Sequence, residues 1–213
     1  ISEFQDTQIE KEFSDAIEEK RIEEIYWVGG EPLMYAQHWK YLQRIVDLGY
    51  PEQVMLRYNT NLSRVNYKKQ NLWELLSHFP RWNMLASLDA TGQIGEYIRT
   101  GLKYNKFIEN LEQGIETATG REQRIDLDLT ITTPGLLDLK NMFDLSIKYR
   151  LILYTKVVFT FSNDLILSPI SVPKKILHNI IDDVLEYAKP RATWRQQNFI
   201  NTLEAMKTRP TTQ

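Results

Sequence analysis

The segment YWVGGEPLM, residues 26–34, decides the fold of this chain. Its first three residues are aromatic or β-branched, as is typical of a strand, and two glycines follow at once. Gly29 and Gly30 let backbone polar groups approach a ligand, because neither carries a Cβ atom. Glu31 adds a negative charge beside them, and a carboxylate is a strong acceptor for a cation such as an amine. The alternative interpretation is a plain turn, since glycines followed by proline commonly form one.

The composition is that of a folded globular chain. Of the 213 residues, 42% are apolar and 25% are charged, far from the low hydrophobicity of disordered proteins. The net charge of −2 gives no general electrostatic reason to expect nucleic acid or an anionic membrane as a partner. No apolar run is long enough to span a membrane and no signal-peptide pattern opens the chain, so we expect a cytoplasmic protein. The absence of cysteine excludes disulfides and thiolate catalysis within these residues.

Strand-like and amphipathic helical segments alternate along the chain, which predicts repeated βα units around parallel strands. The predicted strands cover residues 24–28, 53–58, 82–88, 124–133 and 153–161. The predicted helices cover residues 6–21, 37–48, 72–79, 104–115, 139–149, 173–185 and 194–206, with a loop at 89–101. The chain has no internal repeat and no clear linker, so we predict a single domain over 1–213. It consists of a leading helix (1–22), a βα core (23–162) and C-terminal helices (163–213).

Polar side chains recur at the ends of three later strands, in the position that Glu31 takes after the first strand. Parallel αβ folds bind ligands at the carboxyl ends of their strands. Two residues separate the members of each pair, which therefore share one face if the strand continues that far. The pairs are Asn59 and Asn61, Ser87 and Asp89, and Thr130 and Thr132. Taken singly, the asparagines are also explained by turn formation, and Ser87 and Asp89 by capping of a helix or loop.

Three motifs follow one another along the chain: GGEPLM at residues 29–34, RYNTNL at 57–62 and ASLDATGQIGEYIRTG at 86–101. This order resembles the radical S-adenosylmethionine (radical SAM) superfamily, and most closely its twitch and SPASM-like maturase branch. The match is strong over residues 25–133 and looser over the remainder. The resemblance implies an α/β fold, a partial (β/α)6 TIM-like barrel with parallel strands, whose first strand and cluster loop are missing from this chain.

The resemblance also implies cofactors and a reaction. A [4Fe–4S] cluster would hold the methionine end of S-adenosylmethionine, and reductive cleavage of that complex would give a deoxyadenosyl radical that abstracts hydrogen from the substrate. We therefore expect an iron–sulfur, metal-binding oxidoreductase that acts as a maturase on a peptide or another sizeable substrate. Its electron donor would be a protein such as a flavodoxin or ferredoxin.

Carried over by motif position, the resemblance assigns the ends of the bound methionyl group. Gly29, Gly30 and Glu31, followed by Pro32, would hold the amine, and Arg99 would pair with the carboxylate. The charges suit a zwitterion, because the amine needs an acceptor and the carboxylate needs a donor fork. Neither residue needs to transfer a proton.

The remaining assigned positions lie at or beyond the ends of later strands. Ser87 and Asp89 would face the ribose or carboxylate region, and Asn59 and Asn61 would line the cavity. Thr130 and Val158 would lie near the nucleoside. Strand parity supports Thr130, and Val158 depends on which face of KVVFTF, residues 156–161, turns inward.

The chain departs from the superfamily at the metal centre. The superfamily binds its cluster through a CxxxCxxC loop after the first barrel strand, upstream of GGEP, and this chain has no cysteine. His38, His78 and His178 lie on predicted helices without ligand spacing, so packing is their expected role. Because the chain begins at Ile1 and not at Met, we expect the first strand and the cysteines to precede these residues in the whole protein. No metal ligand is assigned within the chain.

Two other functions are compatible with the sequence. One is a degenerate barrel without a cluster that binds a peptide or a partner protein. The other is a barrel enzyme that binds a phosphorylated metabolite, although no lysine or serine set accompanies GGEP as phosphate would prefer. At the C-terminal end, the basic residues Lys189, Arg191, Arg195, Lys207 and Arg209 surround Trp194. A solvated face explains them better than a contact with RNA or an acidic peptide.

Overall fold

The computed structural model describes residues 3–158 and 167–209 of the chain. The strands are β1 (Glu24–Trp27), β2 (Met55–Thr60), β3 (Asn66–Tyr67), β4 (Gln70–Asn71), β5 (Arg81–Ser87), β6 (Glu122–Ile131) and β7 (Leu153–Val157). The α-helices are α1 (Glu3–Glu18), α2 (Ala36–Asp47), α3 (Leu72–Leu76), α4 (Gly92–Ile98), α5 (Tyr104–Thr117), α6 (Leu139–Tyr149), α7 (Lys174–Ala188) and α8 (Gln197–Lys207). Helices separate the successive long strands β1, β2, β5, β6 and β7, as the sequence predicts.

One parallel sheet contains the long strands in the order β1-β2-β5-β6-β7. β1 pairs with β2 from Glu24 opposite Met55 onward, and β6 pairs with β7 from Leu127 opposite Leu153 onward. The remaining pair, β3 and β4, forms a separate antiparallel hairpin. Because β1 and β7 are edge strands, the described residues form no closed barrel. The predicted α/β fold, a partial TIM-like barrel, is confirmed.

Two elements of the structure, helix α4 and a hairpin, were not predicted from the sequence. Residues 92–98 lie in the predicted loop at 89–101 but form α4, where the Gly95 N–H donates to the Thr91 carbonyl. Two glycines conceal this helix in the sequence, because each costs a helix about 1 kcal/mol relative to alanine. The hairpin of β3 and β4 was not predicted. The strand predicted at 153–161 ends at Val157, and residues 159–161 lie outside the described residues.

The chain divides into two compact units, Ile1–Met84 with Glu109–Ile125, and Leu85–Ile108 with Asp126–Gln213. The predicted single domain stays a prediction. In the first unit, α2 buries Trp39, Leu42 and Ile45 completely, as their spacing on one helix face predicts. The side chain of Asn71 accepts hydrogen bonds from two N-terminal N–H groups of α3, which fixes where that helix begins.

His38 is part of an aromatic cluster in the core of the first unit. Its ring packs edge-on against Trp27 and Trp39, with ring centroids 4.9 and 5.1 Å away. His38 Nε2 lies 3.0 Å from the Tyr58 hydroxyl, and Nδ1 has no partner among the described residues. Burial lowers the pKa of His38 to about 3, because the charged ring would lose its hydration. The expected packing role is correct, and this histidine is fully buried.

We expect His38 to make the protein acid-sensitive. The unfolded chain binds a proton at this ring near pH 6.5 but the folded chain only near pH 3, so stability is complete above pH 6.5 and falls as the pH drops below it. The contribution lost between pH 6.5 and pH 5 is about 2 kcal/mol. Urea denaturation of the wild type and His38→Gln at pH 7 and pH 5 measures it, since the carboxylates contribute equally to both proteins. Identical pH dependence of the two proteins would refute this account.

In the second unit, α6, α7 and α8 pack together around buried apolar side chains that include Phe143, Leu177 and Phe199. Basic side chains of this region pair with acids: Lys189 with Glu204, Arg191 with Asp144, and Lys207 with Asp182, at 2.5 to 2.8 Å. These pairs agree with the expected solvated face. Among the described helices of the whole chain, none combines the length and apolar character required to cross a membrane.

Candidate functional site

The loop that follows β1 in the first unit has free space beside its two glycines. Gly29 has a φ of +94°, a conformation that favours glycine, and a Cβ placed on either Gly29 or Gly30 would meet nothing within 4 Å. Pro32 is buried and opens a short 3₁₀ turn, for which Glu31 is the N-cap. The backbone of this loop is therefore accessible, while its acidic residue is fixed by the turn that follows.

The Glu31 carboxylate ties the end of β1 to the end of β2. Its Oε1 accepts hydrogen bonds from the Leu33 N–H at 3.1 Å and from the Thr60 hydroxyl at 2.6 Å. Its Oε2 accepts one from the Asn61 N–H at 2.7 Å. A carboxylate has about four acceptor sites, so these bonds leave one on Oε2. Glu31 is thus a rigid acceptor with room for one further donor.

The two asparagines near the end of β2 make different contacts. Asn59 lies within β2, and its side-chain oxygen accepts a hydrogen bond from the Tyr26 hydroxyl of β1 at 2.9 Å. Asn61 lies beyond the strand, and its side-chain oxygen accepts one from the Ser63 N–H at 2.9 Å. The turn-forming interpretation is correct for the Asn61 side chain, whereas its N–H binds Glu31.

A cavity of about 510 Å³ lies beside the glycines in the first unit. Its lining is mostly aromatic and aliphatic, with Glu31 as its one charged residue. The lining residues are Phe13, Ile25, Tyr26, Trp27, Val28, Gly29, Gly30, Glu31, Pro32 and Tyr35. An apolar cavity with a fixed carboxylate in its lining suits an organic cation better than an anion.

In the second unit, Asp89 and Arg99 form a bidentate ion pair. Arg99 Nε and Nη2 donate to the two Asp89 oxygens at 2.7 and 3.0 Å. Asp89 also accepts from the Thr130 N–H at 3.3 Å, and its side chain is 9% exposed, against 29% for Arg99. The buried acid therefore orients the guanidinium, and three of the five Arg99 N–H donors remain for another acceptor.

Ser87, Val158 and Thr132, also singled out from the sequence, have other surroundings in the second unit. Ser87 is the last residue of β5 and is partly exposed. The Val158 N–H donates to the Ile131 carbonyl, and its own carbonyl accepts from the Ser168 hydroxyl at 2.8 Å. Thr132 Oγ1 accepts from the Gly135 N–H at 3.2 Å. Thr132 thus shapes a turn, and only backbone contacts are established for Val158.

The two members of each polar pair were expected to share one strand face if the strand continued that far. Each strand instead ends between the two members of its pair. β2 ends at Thr60, β5 at Ser87 and β6 at Ile131. Asn61, Asp89 and Thr132 consequently lie in turns, where the alternation of a strand no longer applies. Asp89 reaches Arg99 and Thr130 from such a turn, so the second member of a pair can still contribute to a polar cluster.

Sequence reasoning missed three residues that shape these clusters. Thr60 is buried between the two asparagines, and its hydroxyl donates to Glu31. Asp138 is buried and accepts hydrogen bonds from the Thr91 N–H and hydroxyl at the start of α4. Asp128, on β6, pairs with Lys156 of β7 at 2.5 Å. The partners of these three residues depend on tertiary contacts, which a sequence pattern does not specify.

The chain does not fit an iron–sulfur cluster by itself. It contains no cysteine, and the described residues include no group of three or more histidine, aspartate or glutamate side chains that could hold a metal ion. Iron–sulfur clusters are bound mainly by thiolates. Polar capacity remains elsewhere: in the first unit Glu31 retains one acceptor site, and in the second unit Arg99 retains three N–H donors.

Comparison with known proteins rests on structure. No protein-family model matches the sequence, and no curated protein matches it. A solved structure of anSMEcpe with bound AdoMet and Kp18Cys peptide superposes with a TM-score of 0.56 at 13% identity, over 84% of this chain and 48% of that one. Streptococcus suis SuiB bound to S-adenosylmethionine also gives 0.56 at 13% identity, over 84% of this chain and 41% of SuiB. The chain has the radical SAM fold.

The radical SAM fold recurs in a structure of SuiB bound to the precursor peptide SuiA, with a TM-score of 0.55 at 13% identity. This chain spans less than half the length of the protein chain in each of these three structures, between 40% and 48%. At this identity the likeness establishes the radical SAM fold alone. Function is therefore a question for the residues of the two clusters.

Proposed function

We propose that this chain is the S-adenosylmethionine-binding part of a radical SAM enzyme that acts on a peptide. The observation that carries the proposal is the fixed Glu31 carboxylate beside two open glycines, with one acceptor site left. The likeness to structures solved with AdoMet and with peptides supports both the cofactor and the substrate class.

Glu31 and Arg99 are the charged groups proposed for the cofactor, and each is argued from its own surroundings. In the first unit, Glu31 accepts from the ammonium group, and the backbone of Gly29 and Gly30 lies close because no Cβ intervenes. In the second unit, Arg99 donates to the carboxylate with the N–H groups that Asp89 leaves. Asn59, Asn61, Ser87, Thr130 and Val158 complete the proposed binding set.

The proposed metal centre would need cysteine ligands from outside the 213 residues of this sequence, because these include no cysteine. When bound beside a reduced [4Fe–4S] cluster, S-adenosylmethionine supplies the capacity to abstract hydrogen from a substrate. The electron for that reaction would come from a flavodoxin or ferredoxin. The chain's own part is to bind and orient the cofactor.

Arg99→Ala is expected to weaken S-adenosylmethionine binding by about 1.5 to 3 kcal/mol, the usual loss for a hydrogen bond to a charged group. This corresponds to a rise in Kd of roughly 10- to 150-fold. Equilibrium dialysis with radiolabelled S-adenosylmethionine measures it on the full chain. An unchanged Kd would remove Arg99 from the site.

The controls separate binding from folding. Arg99→Ala leaves Asp89 buried without its partner, so the double variant Arg99→Ala/Asp89→Asn tests whether the loss persists once that charge is removed. Arg99→Lys keeps the charge but not the planar fork, and is expected to bind with intermediate affinity. Binding restored by the double variant would show that Arg99 acts on the fold and not on the cofactor.

The alternative function is a cluster-free barrel that binds a peptide or partner protein. The absence of cysteine from the sequence favours it. Anaerobic iron–sulfur reconstitution of the longest natural form of the protein, followed by an assay for deoxyadenosine release, distinguishes the two. Cluster uptake followed by deoxyadenosine release supports the enzyme, and failure to take up a cluster supports the cluster-free barrel. A cluster-loaded, reduced sample that releases no deoxyadenosine would count against the enzyme.

A further inference from the structure

Among the described residues of the second unit, helix α8 covers only part of the outer edge of β7. In a paired strand, the backbone N–H and carbonyl groups of alternate residues point toward the neighbouring strand. The Val158 N–H donates to the Ile131 carbonyl of β6, so the backbone groups of Lys156 also point toward β6. The backbone groups of Thr155 and Val157 therefore point away from the sheet. Helix α8 covers Thr155, because Asn198 Oδ1 accepts from its N–H at 2.6 Å and the Thr202 hydroxyl donates to its carbonyl at 3.3 Å. Val157 is the next outward residue.

A groove of about 440 Å³ lies beside Val157, and we call it the β7 groove. It is lined by Thr155, Lys156, Val157, Asn201, Thr202, Ala205, Met206 and Arg209. Two of these residues are cationic and none is acidic. Lys156 is 56% exposed while its partner Asp128 is 8% exposed, so the ammonium group and not the carboxylate is the accessible member of the pair. Arg209 is exposed as well.

We propose that the β7 groove binds an acidic, extended segment of a partner peptide. An exposed strand edge accepts an extended chain through backbone hydrogen bonds, and at Val157 both the N–H and the carbonyl point outward. Lys156 and Arg209 select acidic side chains on that segment by charge complementarity. Ala205, an exposed lining residue, provides apolar surface against which an aliphatic side chain of the segment packs. The inference is independent of S-adenosylmethionine binding.

The test uses a fluorescein-labelled Val-Glu-Val-Glu-Val-Glu peptide and fluorescence anisotropy on the full chain. Val157→Pro removes the outward N–H but no hydrogen bond to β6, so the ladder is preserved and affinity is expected to fall about tenfold or more. Val157→Ala keeps the N–H and is the matched control, with affinity within about threefold of the wild type. Lys156→Gln/Arg209→Gln is expected to weaken binding and flatten its dependence on salt.

A second measurement on the wild type avoids any folding defect of the proline variant. Hydrogen exchange of the Val157 amide is expected to slow when the glutamate peptide is added. The proposal is overturned by any one of four results: no binding, equal binding of a Val-Lys-Val-Lys-Val-Lys peptide, unaltered affinity of a folded Val157→Pro, or unaltered exchange at Val157.

Discussion

Replacing Glu31 with alanine is expected to lower the free energy of unfolding by about 3 kcal/mol. The change removes three hydrogen bonds to one carboxylate, from the Leu33 N–H, the Thr60 hydroxyl and the Asn61 N–H. Hydrogen bonds to charged groups contribute about 1.5 to 3 kcal/mol each, and partial exposure reduces the sum because water replaces some of them. Urea denaturation at pH 7 measures the difference.

Two further variants serve as controls for Glu31→Ala. Glu31→Gln keeps the size of the side chain, but its NH₂ group cannot accept the bond from Asn61, so it should recover less than half of the loss. Glu24→Ala removes an acid of the same unit whose ion pair with Arg57 is half exposed, and should cost less than about 1 kcal/mol. A loss at Glu31 no larger than that at Glu24 would show that the carboxylate does not link the strand ends.

The helices were the most predictable part of the fold, for a physical reason. Apolar side chains at three- and four-residue spacing must share one face of a helix, and burial of that face determines where it packs. Helix α6, Leu139–Tyr149, has the predicted limits, and α2 differs from its prediction by one residue at each end. Helix α4 was missed because Gly92 and Gly95 weaken the local signal, while its stability comes from contacts remote in sequence, such as Thr91 with Asp138.

The candidate site was predictable in its residues but not in its connections. The motifs named Glu31, Asn61, Asp89 and Arg99, and each proves to be part of a polar cluster. The hydrogen-bond partners of these side chains depend on the residue at which each strand ends. A difference of one residue changes which side chain meets which partner. Thr60 binds Glu31 because β2 stops there, whereas strand alternation placed only its neighbours on the relevant face. Periodicity cannot specify the residue at which it ceases.

Gly95→Ala is expected to destabilise the protein by about 3 kcal/mol, although it improves the sequence as a helix. Alanine is favoured over glycine in a helix by about 1 kcal/mol, so local propensity predicts stabilisation. A Cβ at Gly95, however, would lie closer than 3.0 Å to the backbone oxygen of Ala90 and 3.3 Å from Leu102 Cδ2. Because a backbone carbonyl cannot rotate aside, α4 itself must shift, and overpacking of this kind outweighs the propensity gain.

The shift should also reach the proposed cofactor site, since the Gly95 carbonyl accepts a hydrogen bond from the Arg99 N–H at 3.0 Å. Gln93→Ala, on the exposed side of the same helix, is the matched control and should change stability by less than about 0.5 kcal/mol. Gly30→Ala has open space at its Cβ and no positive φ, so it should fold as well as the wild type. Urea denaturation of the three variants compares them, and a stabilised Gly95→Ala would mean that α4 and Ala90 do not pack as closely as described.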